Sequence, residues 1–357
     1  MGDNQYLAGI AIPPGETLQD VLDDNMMTQK ELALRLGCSS KHVNKVIKGT
    51  ASITSDFALK LEDVLGIPSH FWMNLEVNYQ ETLSRLNAIP QLKEEEHTLS
   101  KLSYSELAKQ GWVPATKIAI EQIKNLRSFF GVASLESVPL LQPVAFRKSD
   151  HYTSEDYALA AWITKAENKA KEIDSLPFDI NKLKGSLGKI KKLTVRPLKA
   201  SFIELQSICA GFGLNVVVVE HISRTYVNGM TKWLPNNRAL IALSVRGGYE
   251  DIFWFTFFHE IGHVLQNKKS TTFVDMEEDD LGELEKEADE FALETLLSSQ
   301  SYKLFVESQS FKEVGKLRDF CRKQSIHPGI LVGRLMKDNH VSYGDPVLQK
   351  LRTKISK

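Results

Sequence analysis

The sequence predicts a mainly α (α+β) protein: a small N-terminal helical bundle, then a larger domain that adds a small sheet. Three observations carry that expectation. Residues 16–67 alternate helix-length apolar patterns with short polar breaks. Residues 214–243 hold three strand-like runs, Leu214 to Val219, Gly229 to Trp233 and Arg238 to Leu243, the last two flanking a Pro235-Asn236-Asn237 turn. Phe253 to Gln266 (FWFTFFHEIGHVLQ) is apolar on nearly all sides, and a helix without a polar face is a buried one.

At 357 residues the chain is too long for one small core, so two or three units are expected. Lys and Arg number 44 against 45 Asp and Glu. That balance excludes a global polycation and confines any nucleic-acid surface to one part of the chain. Cys38, Cys209 and Cys321 stand far apart with no C-x-x-C, which argues against a disulfide framework or a Cys-rich zinc site. The first residues lack a basic-then-apolar leader, and no stretch approaches a membrane span. The expectation is a reduced, cytoplasmic protein with no membrane partner.

Taken in order, residues 10–15 are an irregular lead-in, and Thr17 to Leu22 form a first helix broken by Asp23-Asp24-Asn25. Thr28 with Glu31 has capping-box spacing. Ala33 is small where two helices must cross, Gly37 permits a left-handed turn, and Ser39 can cap the next helix. This is the rhythm of a helix-turn-helix. Val43 and Ile47 face inward, and Ala58, Leu59, Leu61, Leu65 and Ile67 continue the core. The outward face then carries Ser40, Lys41, Asn44, Lys45 and Lys48, with Gln29 on the preceding helix. Amides and cations of this kind read base edges and phosphates in the major groove of double-stranded DNA. The competing reading is a protein-binding module with a solvated basic helix.

On those residues, 10–80 resemble the Xre-type helix-turn-helix of HigA-like antitoxins. The resemblance implies operator binding as a homodimer, with repression of the chain's own promoter.

Residues 81–155 read as a helical connector, with the acidic Glu94-Glu95-Glu96, helical patterns at Tyr104 to Gln110 and Ala115 to Phe130, and irregular backbone at Pro139 and Pro143 before Phe146. Helices follow at Trp162 to Leu176, Lys182 to Lys192 and Phe202 to Gly211, the second with a solvated Lys-rich face. The remaining boundaries are a domain over 156–340 and a C-terminal tail over 341–357.

The helix at 253–266 contains His259-Glu260-x-x-His263. Positions four apart share a helix face, so both imidazoles reach one ion, while Glu260 can hold a water on it. Zinc suits such a site, taking three protein ligands and leaving a fourth position open. The third ligand is sought after the acidic loop Asp275 to Asp280. Glu285 borders the apolar stripe of the helix that follows, with Glu287 as the alternative. Asp289, one turn on, can accept a hydrogen bond from a ligating His. His327, held at a turn by Pro328-Gly329, can serve as an oxyanion donor or simply pack at a helix start. Tyr226 and Arg246 are lesser candidates for the same task.

Residues 162–336 resemble the ImmA/IrrE metallopeptidases, a gluzincin-like family, on IALSVR (241–246), Asp251 to Gln266, EKEADEFA (285–292) and HPGILVGRL (327–335). The resemblance implies a zincin-like domain, Zn2+ held by His259, His263 and Glu285, and Glu260 as general base. One departure is Leu296-Leu297-Ser298-Ser299, where relatives often carry Met-Pro. The expected function is a transcriptional regulator whose zinc-dependent endopeptidase domain cuts a regulatory protein partner. The other reading is an antitoxin-like repressor whose metal domain is a non-catalytic sensor or a platform for a toxin partner.

Overall fold

Pro14 opens the first helix, because a proline at the first helical position gives up only an N–H that has no partner there. Helix α1 (Pro14–Asp24) therefore starts earlier than the expected Thr17. The computed structural model describes residues 10–141, 153–225, 227–245, 248–266 and 278–355. The chain divides into two units, Met1–Glu96 and His97–Lys357.

In the first unit α1 is followed by α2 (Gln29–Leu36), α3 (Ser40–Ile47), α4 (Ser55–Leu65) and α5 (Ser69–Glu94). Thr28, Ser39 and Thr54 each accept a backbone N–H from the first turn of α2, α3 and α4. The expected capping box is half formed, since the Glu31 carboxylate takes Arg35 at 2.6 Å. Gly37 ends α2 at φ 65, the left-handed turn the sequence requires. Gly15 lets α1 meet α3 backbone to backbone: a Cβ there would lie 2.3 Å from Ile47 Cα. Leu18, Leu22, Leu32, Val43, Val46, Phe57, Leu61 and Trp72 fill the core. Leu59, expected inside, is 56% exposed; it is flanked by the buried Ala58 and Leu61, and α4 has only one buried face. The boundary expected at residue 80 falls inside α5.

The second unit continues through α6 (Glu96–Leu99), α7 (Tyr104–Lys109), α8 (Ala119–Phe130), α9 (Val138–Leu141), α10 (Ser154–Lys171), α11 (Ile180–Leu193) and α12 (Leu198–Ala210). Much of the expected connector thus belongs to this unit; Ser223 N–H donates to Glu106 at 2.8 Å, for example. Pro143 and Phe146 lie outside the described residues. Strands β1 (Leu214–Val219), β2 (Gly229–Leu234) and β3 (Arg238–Ser244) form one sheet in the order β1-β3-β2. β3 runs parallel to β1 and antiparallel to β2, with Val216 opposite Ile241 and Thr231 opposite Ile241. Asn236 and Asn237 turn the β2–β3 hairpin at positive φ, which Asn tolerates. β2 is therefore an edge strand, a point that periodicity alone left open.

Helices α13 (Glu250–Gln266), α14 (Glu278–Leu296), α15 (Ser299–Glu307), α16 (Val314–Gln324), α17 (Pro328–Lys337) and α18 (Pro346–Gln349) complete the unit. Trp254, Phe257, Phe258 and Ile261 of α13 are fully buried and share a core with Leu214, Val216, Ile241, Leu243, Leu331 and Leu335. Each such side chain contributes about 1.5–3 kcal/mol by leaving water, which offsets the polar groups the same helix carries. α10 covers the other face of the sheet, where Asn215 Nδ2 donates to Ala170 O at 3.3 Å. The segment expected as a tail is folded in. Arg352 pairs with buried Asp251 at 2.7 Å, and Glu250 N–H donates to Thr353 O at 2.9 Å. Among the described residues no helix is long and apolar enough to cross a membrane.

Candidate metal centre and nucleic-acid interface

α13 and α14 meet at Gly262, where an added Cβ would stand 2.8 Å from Ala288 Cα. That close crossing brings Glu285, one turn before Ala288, over the two histidines. His259 Nε2 and His263 Nε2 are 3.0 Å apart. Glu285 Oε2 lies 3.1 Å from the first and its Oε1 3.4 Å from the second. Ligands held at about 2.0–2.1 Å around a tetrahedral zinc stand roughly 3.3–3.4 Å from each other, close to these separations.

The hydrogen bonds behind the rings test the fit further. His259 Nδ1 faces Asp289 Oδ1 at 2.9 Å, and His263 Nδ1 faces Gln266 Oε1 at 3.0 Å. The Gln266 amide is oriented by donating from Nε2 to Leu284 O at 2.8 Å, which leaves its oxygen for His263. Both Nδ1 atoms thus face acceptors and carry the proton in the neutral ring, and both Nε2 lone pairs are aimed at one another. Two lone pairs at that distance repel unless a cation or a proton stands between them. The donor set His, His, Glu suits a divalent ion such as zinc.

Electrostatics agrees with an acidic cluster around two bases. Burial lowers the pKa of His259, yet the Glu285 hydrogen bond, the Glu260 and Glu285 charges and the Asp289 hydrogen bond together carry it above its ordinary value. His263 behaves likewise, opposed by burial and raised by Glu285, Glu260 and Gln266. When protonated, the two rings donate hydrogen bonds that hold Glu285 well below the usual carboxylate range. Burial pushes Glu260 up, against Thr231 and the two rings. Thr231 Oγ1 donates to Glu260 Oε2 at 2.7 Å from the edge strand β2. A Cβ on Gly229 would strike the same carboxylate at 2.6 Å.

His259, Glu260, His263, Glu285 and Asp289 are therefore brought together, and Glu287 is not among the converging groups; it sits 3.3 Å from Gln266 Nε2. His327 stands at the start of α17. Its Nδ1 accepts the Gly329 N–H at 3.1 Å and caps α17, and its electrostatic neighbour is Asp251. Asp251 precedes His259 by eight residues, about 12 Å along a helix; of the two roles the sequence offers His327, the structure shows the one at a helix start. Tyr226 and Arg246 lie outside the described residues. Thr231 and Gln266 are additions to the site. Gln266 was within reach of sequence reasoning, three residues beyond His263 on one face; Thr231 left no local signal.

In the first unit Ser40, Lys41, Lys45 and Lys48 are exposed along α3 and its end, and Asn44 is half-buried. Asn44 Nδ2 donates to Gln29 Oε1 at 3.2 Å. Gln29 Nε2 donates in turn to Gln19 Oε1 at 2.8 Å. Gln19 is a further residue of this face that the sequence reading did not single out.

Comparison with known proteins bears on this unit. The helix-turn-helix family matches residues 18–72. An HTH-type transcriptional regulator of Escherichia coli, YddM, is 29% identical over 63 residues, 18% of this chain and 67% of that protein. Among solved structures, the Pseudomonas aeruginosa antitoxin HigA with its higBA promoter is 29% identical, covering 24% of this chain and 95% of that one at a TM-score of 0.23. A HigA-family addiction module antidote protein from Coxiella burnetii, also 29% identical, covers 24% and 94% at a TM-score of 0.22. Sequence match and capped helices agree: residues 18–72 are a helix-turn-helix domain.

Proposed function

We propose that this chain is a DNA-binding regulator whose second unit is a zinc-dependent endopeptidase acting on a regulatory protein partner. The peptidase half is carried by one observation, the focus formed by His259, His263 and Glu285 with Glu260 beside it. Those three side chains would hold the ion. When bound, zinc supplies a Lewis acid that polarises a carbonyl and lowers the pKa of water. Glu260 takes the proton of the attacking water and hands it to the leaving amine, a task favoured by a carboxylate whose pKa burial has raised. Thr231 keeps that carboxylate oriented, while Asp289 and Gln266 hold the two rings. As an edge strand, β2 offers backbone for an extended peptide beside Glu260.

The DNA half is supported by the helix-turn-helix match, by the exposed cations and amides of α3, and by relatives described as a transcriptional regulator and as an antitoxin with its promoter. On this reading the protein works in the cytoplasm and binds double-stranded operator DNA in its own promoter as a homodimer.

The test is metal content followed by cleavage. Purified wild type should carry one zinc per chain, lost in His259→Ala and Glu285→Ala. Wild type should cut a co-expressed regulatory partner and Glu260→Gln should not, although it keeps fold and zinc. If Glu260→Gln behaves as wild type in cells, the peptidase reading is wrong and the metal domain is a sensor or partner-binding module.

A further inference from the structure

We infer that Asp23 sets the direction of an amide relay that fixes how Asn44 meets a base pair, selecting adenine over guanine. The inference rests on the DNA-binding reading above and deepens it. The relay crosses three helices. Asn44 Nδ2 on α3 donates to Gln29 Oε1 on α2 at 3.2 Å, Gln29 Nε2 donates to Gln19 Oε1 on α1 at 2.8 Å, and Gln19 Nε2 donates to Asp23 Oδ1 at 2.7 Å.

A side-chain amide can turn either its oxygen or its NH2 toward a neighbour, so each amide–amide link alone admits both directions. Asp23 removes that freedom, because a carboxylate accepts and does not donate. Gln19 must give Asp23 its NH2 and keep its oxygen for Gln29; Gln29 must then keep its oxygen for Asn44. The Gln19–Asp23 pair by itself is an ordinary helix-surface contact four residues apart. Its continuation into α2 and α3 makes it a polarity switch for the reading helix.

Among the described residues Asn44 is left with a free Oδ1 and one free amide hydrogen. An acceptor beside a donor matches the N6 and N7 edge of adenine in the major groove. Run the other way, the relay would engage Oδ1 and turn both amide hydrogens outward, which suits the two acceptors of guanine. A carboxylate beside a DNA-reading surface repels phosphate, so simple electrostatics alone predicts that removing Asp23 tightens binding to every sequence equally.

The experiment uses the full-length chain. Duplexes are selected from a random pool with wild type. Affinities at fixed salt are then measured for the selected duplex, for a scrambled one, and for versions with each A·T pair changed to G·C. Asp23→Lys places a donor-only group at the end of the relay and reverses it. Gln19→Glu combined with Asp23→Lys restores an acceptor-only group opposite Gln29. Asp23→Lys should bind scrambled DNA more tightly through its charge, yet lose about tenfold in its preference for A·T at one position. The double variant should recover that preference to within about twofold of wild type. A preference that survives Asp23→Lys, or is lost there and not recovered in the double variant, overturns the inference. A wild type that selects no sequence at all overturns the DNA-binding reading itself, and the inference with it. Asp23 is exposed, so these changes leave the core of the unit intact.

Discussion

His259 and Asp289 lie 30 residues apart in the chain, and Nδ1 of the first stands 2.9 Å from Oδ1 of the second. The contact decides which ring nitrogen faces Glu285 and is the reason His259 has a single competent tautomer. Asp289→Ala keeps all three converging side chains and frees the ring to turn. Zinc affinity should fall about 10–100-fold in competition with a chromophoric chelator, with the thermal midpoint of the metal-free protein little changed. An unaltered affinity would remove Asp289 from the site.

The crossing at Gly262 makes a separate prediction. Gly262→Ala must push α14 away from α13, since the new Cβ meets backbone at 2.8 Å. Stability should drop by about 1–3 kcal/mol, and metal affinity should drop with it, because Glu285 rides on α14. Gly185→Ala is the control: its Cβ meets nothing within 4 Å, and in a helix interior Ala should gain up to about 1 kcal/mol. Urea unfolding of both variants would separate steric from propensity effects.

His327 introduces a pH dependence of known sign. Burial lowers its pKa from the ordinary 6.5, although Asp251 acts the other way, and its Nδ1 must be unprotonated to accept the Gly329 N–H. Above the unfolded value both states are neutral and the stabilisation is complete. As the pH falls below about 6.5 the unfolded chain takes up a proton that the folded one resists, and stability is lost. His327→Asn supplies a cap that does not titrate. Between pH 7.5 and 5 wild type should lose roughly 1 kcal/mol more than the variant, read from chemical unfolding at each pH; parallel losses would show that the cap does not titrate.

On α3 two substitutions should differ in kind. Lys41→Ala should weaken binding to all duplexes alike and lower the salt dependence by about one released ion. Asn44→Ala should cost about 1–3 kcal/mol for the selected duplex and little for a scrambled one. Equal effects of the two on both duplexes would contradict the assignment of Asn44 to base reading.

Much of the local geometry at both places was legible in the sequence. Thr28, Ser39 and Gly37 mark helix ends through side-chain and backbone preferences that act within three or four residues, and the structure uses all three as caps. The spacing of His259 and His263, and the place of Glu285 and Asp289 on the border of an apolar stripe, are likewise short-range facts. Other features were not legible. Leu59 fits a helical core pattern by residue type, yet among the described residues its side of α4 is exposed. His327 read either as an oxyanion donor or as a residue at a helix start, and only the fold shows its Nδ1 taking the backbone N–H two residues on. The 341–357 segment read as a tail, because nothing local announces that Arg352 will bury its charge against Asp251, 101 residues away.

Helical and strand periodicities, cap chemistry and the HExxH spacing came from the sequence alone, since each depends on a few neighbouring residues and on the fixed geometry of the backbone. The tertiary structure decided what those faces meet. Gly262 against Ala288 set Glu285 above the two histidines, and the packing of β2 on α13 set Thr231 against Glu260. Gly15 against Ile47 set α1 across α3. Such contacts are chosen by the burial of large apolar side chains and by how closely two backbones can approach, and both are properties of surfaces that exist only once the chain has folded.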